Sequence, residues 1–194
     1  MMHLLRNLWR KCGAAASIEF ALIVPVMLVM FMGVFEVSQA LIMYMKVIDV
    51  ADTVSDLVAQ QRQVASSDID NYYVAGQLVM TPSVGAGLGL YVASITFDPV
   101  TGSPSVAWSA TRGGATAMSN GNAATAATGL GAACANQGPP TPVNPCDSVI
   151  LAQASYTYNS ALGYLIHTGI PISANVFSRP REVFTIPCTS SPSC

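Results

Sequence analysis

The stretch FALIVPVMLVMFMGVF, residues 20–35, contains no charged residue, and its reading decides the fold class. As an α-helix rising about 1.5 Å per residue it spans roughly 24 Å, a little short of the ~30 Å hydrocarbon layer of a bilayer. The helix therefore draws on its flanks, which are uncharged and mostly apolar from Ala14 to Ile18 upstream and from Val37 to Met45 downstream of a single Glu36. Positions 14–45 together give about 48 Å, enough to cross a membrane and emerge as a stalk.

Arg6, Arg10 and Lys11 precede this run, whereas Glu36, Lys46, Asp49, Asp52 and Asp56 follow it. The positive-inside bias puts the N-terminus in the cytoplasm and the long C-terminal part in the periplasm. A cleaved signal peptide would carry its small-residue site just after the apolar core. Here the small run GAAAS, residues 13–17, comes before it.

Two residues distinguish this segment from a generic anchor. Glu19 borders the apolar run, where an unpaired carboxylate is costly in lipid and needs a partner, a proton or the interface. Pro25 removes an amide donor and loosens the turn before it. The plain reading is a carboxylate at headgroup level and a tolerated proline; the functional one makes Glu19 a contact for another subunit or an assembly machinery.

The chain has 194 residues, room for one modest domain beside the anchor, and only 9% of them are charged. Beyond position 11 it holds five basic and ten acidic groups, with no basic stripe suited to a phosphate backbone. Nucleic acid is not an expected partner. Four of the five cysteines, Cys134, Cys146, Cys188 and Cys194, lie in a Gly-, Pro-, Ser- and Thr-rich region where bridges restrain the chain more than packing does. They are the disulfide candidates. Sequential pairing, Cys134 with Cys146 and Cys188 with Cys194, is preferred for its short loops, but all three connectivities stay open.

The N-terminal residues RKCGAAASIEFALIVPVMLVMFMGVFE, 10–36, resemble the opening of TadE/TadG-like pseudopilins, minor components of tight-adherence (Tad/Flp) pili. The shared pattern is a basic leader, a glycine before small residues, Glu-Phe-Ala-Leu, and a proline shortly inside an apolar helix. ADTVSDLVAQ at 51–60, WS at 108–109, SYTYN at 155–159 and SRPRE at 178–182 also resemble the larger members, while 110–148 adds little. The resemblance implies a prepilin-type peptidase as partner, recognising Gly13, Ala14, Ala15, Glu19 and Phe20, then pilus subunits and assembly machinery at the inner membrane. Glu19 and Pro25 would serve subunit assembly, the glutamate by pairing with the free N-terminal ammonium of a neighbour. A cut after Gly13 leaves Glu19 sixth in the mature chain, where prepilin-like proteins place it fifth. A cut after Ala14 restores that spacing at the expense of the preferred glycine.

Beyond the span, VIDVADTVSDLVAQQ at 47–61 repeats apolar residues at helical intervals and reads as an amphipathic extension, either continuous with the anchor or broken near 46–49. Four strands are expected, at 88–97, 104–109, 149–158 and 183–187, forming a small antiparallel sheet against which that helix packs. Residues 110–148 are poor in bulky hydrophobes and read as a surface excursion closed by Cys134 and Cys146. Arg179 and Arg181 suggest either internal ion pairs or a contact site.

The expected organisation is thus α+β: a basic leader at 1–13 that a peptidase could remove, a transmembrane helix and stalk at 14–45, an amphipathic helix at 46–69 and an exported domain at 70–194. No metal, cofactor or catalytic constellation is legible: His3 and His167 stand alone, the cysteines lack CxxC spacing, and no phosphate loop, HExxH or nucleophile elbow occurs. The function expected is that of a non-enzymatic minor pilin or pseudopilin in assembly, priming or decoration of a surface pilus, with incorporation in the extracellular fibre as one outcome. An anchored binding or adhesion module outside the fibre is the alternative, and an envelope enzyme with an unrecognised site comes third.

Overall fold

The computed structural model describes residues 13–81, 87–131, 147–160, 163, 168–190 and 194. The elements are α1 (Gly13–Ala59), α2 (Ser66–Val79), β1 (Gly89–Phe97), β2 (Pro104–Arg112), α3 (Asn120–Ala126), β3 (Ser148–Tyr158) and β4 (Ile170–Ser178). Two units emerge, one of Met1–Leu41 with Asn159–Thr168 and one of Ile42–Tyr158 with Gly169–Cys194. The architecture is a long apolar N-terminal helix and a small α+β domain built on a four-stranded antiparallel sheet.

In the first unit, α1 carries many exposed apolar side chains: Phe20 is 67% exposed and Leu22 71%. A soluble surface of this kind is unfavourable, and lipid or other helices are its usual surroundings. Glu36 is the exception, buried to 1% exposure. Ser38 returns its hydroxyl to the Val34 carbonyl four residues back, at 2.7 Å.

In the second unit, α1 continues without the break considered near 46–49. Met43, Val47, Val50, Ala51, Val54 and Val58 form a buried stripe at helical spacing, each fully buried apolar side chain contributing about 1.5–3 kcal/mol. After a turn the chain reverses into α2, which the sequence reading did not resolve as a separate helix. Its start is held by Asp68, whose carboxylate accepts the Ala65 amide at 2.9 Å and satisfies one of the free donors of a helix end. Gly76 lets α2 approach closely: a Cβ there would lie 3.0 Å from Val50 Cγ1 and 3.7 Å from Leu88 Cδ2.

The strand order is β2-β1-β3-β4, every pair antiparallel. Ser94 pairs with Trp108 but Ile95 with Val106, so Ala107 is an extra residue bulging out of β2. Tyr91, Ala93, Ile95 and Phe97 share one face, as their alternation indicates, and pack with Val149 and Leu151. On the opposite face Leu90, Val92 and Ser94 are buried as well, as are Ile150, Ala152 and Ala154 of β3. Both central strands are therefore covered on both faces, an uncommon demand for an antiparallel sheet.

Two expectations need correction. The fourth strand is IPISANVFS, residues 170–178, and not VFTIP at 183–187. Pro171 is tolerated because β4 is an edge strand, whereas the backbone near 183–187 is committed elsewhere: Ile186 accepts the Trp108 indole at 2.7 Å and Pro187 accepts the Val64 amide at 3.0 Å. The stretch 110–148 is not simply an excursion. It completes β2, begins β3 and forms α3, and Ala123 and Ala127 seal the Tyr91 face of the sheet with help from Met118. Alanine suffices because the facing Phe97, Tyr91 and Leu151 supply the bulk. Cys134 and Cys146 lie outside the described residues, as do Cys12, His3 and His167.

Candidate functional site

The candidate site is the first part of α1. Gly13, Ala14 and Ala15 form its opening turn, and the residues of the basic leader up to position 12 lie outside those described. Glu19 follows one and a half turns on with its carboxylate exposed, and Phe20 beside it is exposed too. Pro25 sits inside the helix, so the Ala21 carbonyl lacks its usual amide donor.

Gly13, Ala14, Ala15, Glu19, Phe20 and Pro25 are brought together simply by being one helical segment. Arg179 and Arg181 belong elsewhere.

Those two arginines do not form a common patch. Arg179 binds both oxygens of Asp147, at 2.9 and 3.1 Å, and the Leu130 carbonyl at 2.5 Å. Arg181 pairs with Asp56 on α1, and its amide donates to the Ala59 carbonyl at 3.0 Å. Both tie the segment after β4 to the rest of the domain. Arg62 and Glu182 add an exposed pair at 2.5 Å, which solvent screens heavily.

Sequence reasoning missed a fourth arginine. The Arg112 guanidinium pairs with Asp70 and donates to the Ser66 carbonyl at 3.1 Å, the Ser66 hydroxyl at 2.7 Å and the Cys194 carbonyl at 3.1 Å. It joins the end of β2, the start of α2 and the C-terminal tail, a convergence with no local signal because Arg112 stands alone in the sequence. The same tail is closed by a disulfide between Cys188 and Cys194, and Cys188 bridges Val64. Among the described residues no group of His, Cys, Asp and Glu is arranged to hold a metal ion.

The helix from Ala16 is long and apolar enough to cross a membrane. Comparison with curated proteins and with solved structures found no match. Residues 14–56 match the family model for TadE-like proteins, a range that lies wholly within α1 and leaves the sheet domain outside it, so the chain is similar to TadE-like proteins over its N-terminal helix.

Proposed function

We propose that this protein is a non-enzymatic minor pilin or pseudopilin that helps assemble or prime a Tad-type pilus. The observation that carries the reading is the coincidence of the TadE-like match at 14–56 with a helix whose described apolar side chains are largely exposed over 18–35. In the membrane that surface meets lipid; in a fibre it would meet the same helix of neighbouring subunits.

On this reading a prepilin-type peptidase at the inner face of the membrane removes the basic leader after Gly13 or Ala14. The cut frees an α-amino group and discards Arg6, Arg10 and Lys11, which otherwise hold the N-terminus at the cytoplasmic face. The Glu19 carboxylate of one subunit then receives the new ammonium of the next. In a low-dielectric helix bundle such a charge pair is costly to leave unmade, so it selects register. Pro25, by freeing the Ala21 carbonyl, gives the helix a place to bend as it passes from bilayer to bundle.

The test is Glu19→Gln in cells that express it at the parental level. Pilus assembly is expected to fall at least tenfold by immunoblot of sheared surface fractions, with the protein still in the membrane. Undiminished piliation would remove the charge from the mechanism. Normal pili with reduced surface attachment would favour the anchored binding module instead.

A further inference from the structure

The tail that carries Cys188 and Cys194 is laced to the connection between α1 and α2. Val64 donates its amide to the Pro187 carbonyl at 3.0 Å and accepts the Thr189 amide at 2.9 Å, and the Ser66 amide donates to the Ser190 hydroxyl at 3.1 Å. The Trp108 indole holds Ile186, and Arg112 holds the Cys194 carbonyl. The disulfide closes this lacing, yet its two sulfurs are not equivalent. Cys194 is 3% exposed, and its Sγ lies 3.7 Å from the carbonyl oxygen of the fully buried Val64. Cys188 is partly exposed.

Thiol–disulfide exchange is a displacement in which a thiolate attacks one sulfur and the other sulfur leaves as a thiolate. In the seated tail both ways of opening this bond are obstructed. Burial shields Cys194 Sγ from an incoming thiolate. Attack on Cys188 Sγ must expel the Cys194 sulfur with a negative charge, out of reach of water and beside a carbonyl oxygen, and both surroundings oppose that charge. A tail not yet laced to Val64 and Arg112 has neither obstruction.

We infer that Cys188–Cys194 is a one-way latch: a thiol–disulfide oxidoreductase closes it while the tail is loose, and seating of the tail on Val64 and Arg112 then shuts it to reduction. In the closing reaction the thiolate of one cysteine attacks the disulfide of the oxidant, which forms a mixed disulfide and releases one of the oxidant's sulfurs as a thiolate. The thiolate of the other cysteine attacks the first and expels the oxidant's second sulfur. Two thiol protons and two electrons leave this chain, and the oxidant departs as a dithiol. That an oxidant of this class is at hand rests on the exported placement proposed above; the shielding of the closed bond does not. The latch makes the order of events part of the fold, since the bond is easy to form before the tail docks and hard to break afterwards.

The test treats the full chain in detergent micelles with dithiothreitol, with and without guanidinium chloride. Alkylation and peptide mass spectrometry then follow this pair apart from Cys12, Cys134 and Cys146. Reduction of Cys188–Cys194 is expected to be at least tenfold slower in the native chain than in the denatured one. With the monothiol glutathione in place of the dithiol, the adduct formed on the native chain is expected on Cys188 at least fivefold over Cys194. Arg112→Gln, which removes the donor to the Cys194 carbonyl, should speed native reduction at least threefold with the far-ultraviolet dichroism unchanged. Equal rates in the native and denatured chains, or glutathione attached chiefly to Cys194, would overturn the latch, and an unchanged rate in the Arg112 variant would remove that residue from it. No pilus or bilayer enters these measurements, so failure of the pilin reading leaves their outcome as it is.

Discussion

Gly113, just past the end of β2, has φ +64, and a Cβ there would fall 2.1 Å from the Leu88 carbonyl and 2.3 Å from the Tyr73 hydroxyl. That hydroxyl donates to the same carbonyl at 3.1 Å, locking α2 to the entrance of β1. Gly113→Ala is therefore expected to destabilise the domain by about 1–3 kcal/mol, seen as a lower denaturation midpoint by circular dichroism of the detergent-solubilised chain. Asp98 makes a prediction about pH. It accepts amide hydrogen bonds from Val100 at 2.9 Å and Thr101 at 2.7 Å, and these, the Thr101 bond foremost, hold its carboxyl below the usual carboxylate range. A depressed folded-state pKa stabilises the turn above the ordinary carboxylate pKa, and the benefit disappears as pH falls through the folded value. Acid titration of the full chain should show that loss, and Asp98→Asn should flatten the part of the profile belonging to this turn. At this scale the exposed place of Glu19 and the place of Pro25 within the helix were legible, because each departs from its immediate surroundings. The partners of Arg179, Arg181 and Arg112 were not, since Asp56 precedes Arg181 by 125 positions and only folding brings them together.

Among the elements, the apolar span and the first three strands could be read from periodicity. α2 was hidden because SSDIDNYYVAGQLV carries few core residues: within it Ile69 and Gly76 are the buried positions, and a glycine pressed against Val50 leaves no hydrophobic trace. β4 was hidden by Pro171 and by its place at the sheet edge, where one side of the strand needs no partner. VFTIP looked more strand-like, yet most of its worth is in the carbonyls of Phe184 and Ile186, which accept from Ser148 and Trp108. The tail that carries it is held at its end by Cys188–Cys194. Closing a loop of this size restrains the unfolded chain by roughly 2 kcal/mol. Replacing both cysteines, Cys188→Ser with Cys194→Ser, should lower the thermal midpoint by several degrees and speed proteolysis after Arg181, with the four-stranded sheet intact by far-ultraviolet dichroism. An unchanged midpoint would mean that Arg112 and the Val64 bridge hold the tail unaided.

At the scale of the molecule, two kinds of surface are joined in one chain: a helix with exposed apolar side chains that water does not favour, and a domain whose described charges are largely spent on internal pairs. The first was fully legible in the sequence, since sixteen successive uncharged residues after a basic leader admit few environments. The second was legible only as a class. The TadE-like match ends at residue 56, before the sheet begins, so the sheet domain has no family likeness to guide its reading. The proposed function requires the helix to be held in the membrane and then released to assembly by a cut at its inner edge. Intact-mass and N-terminal analysis of the membrane-associated protein, from cells with and without the matching prepilin peptidase, tests this most directly. The expected result is an end at Ala14 or Ala15 only when the peptidase is present; Met1 persisting in both samples would contradict it.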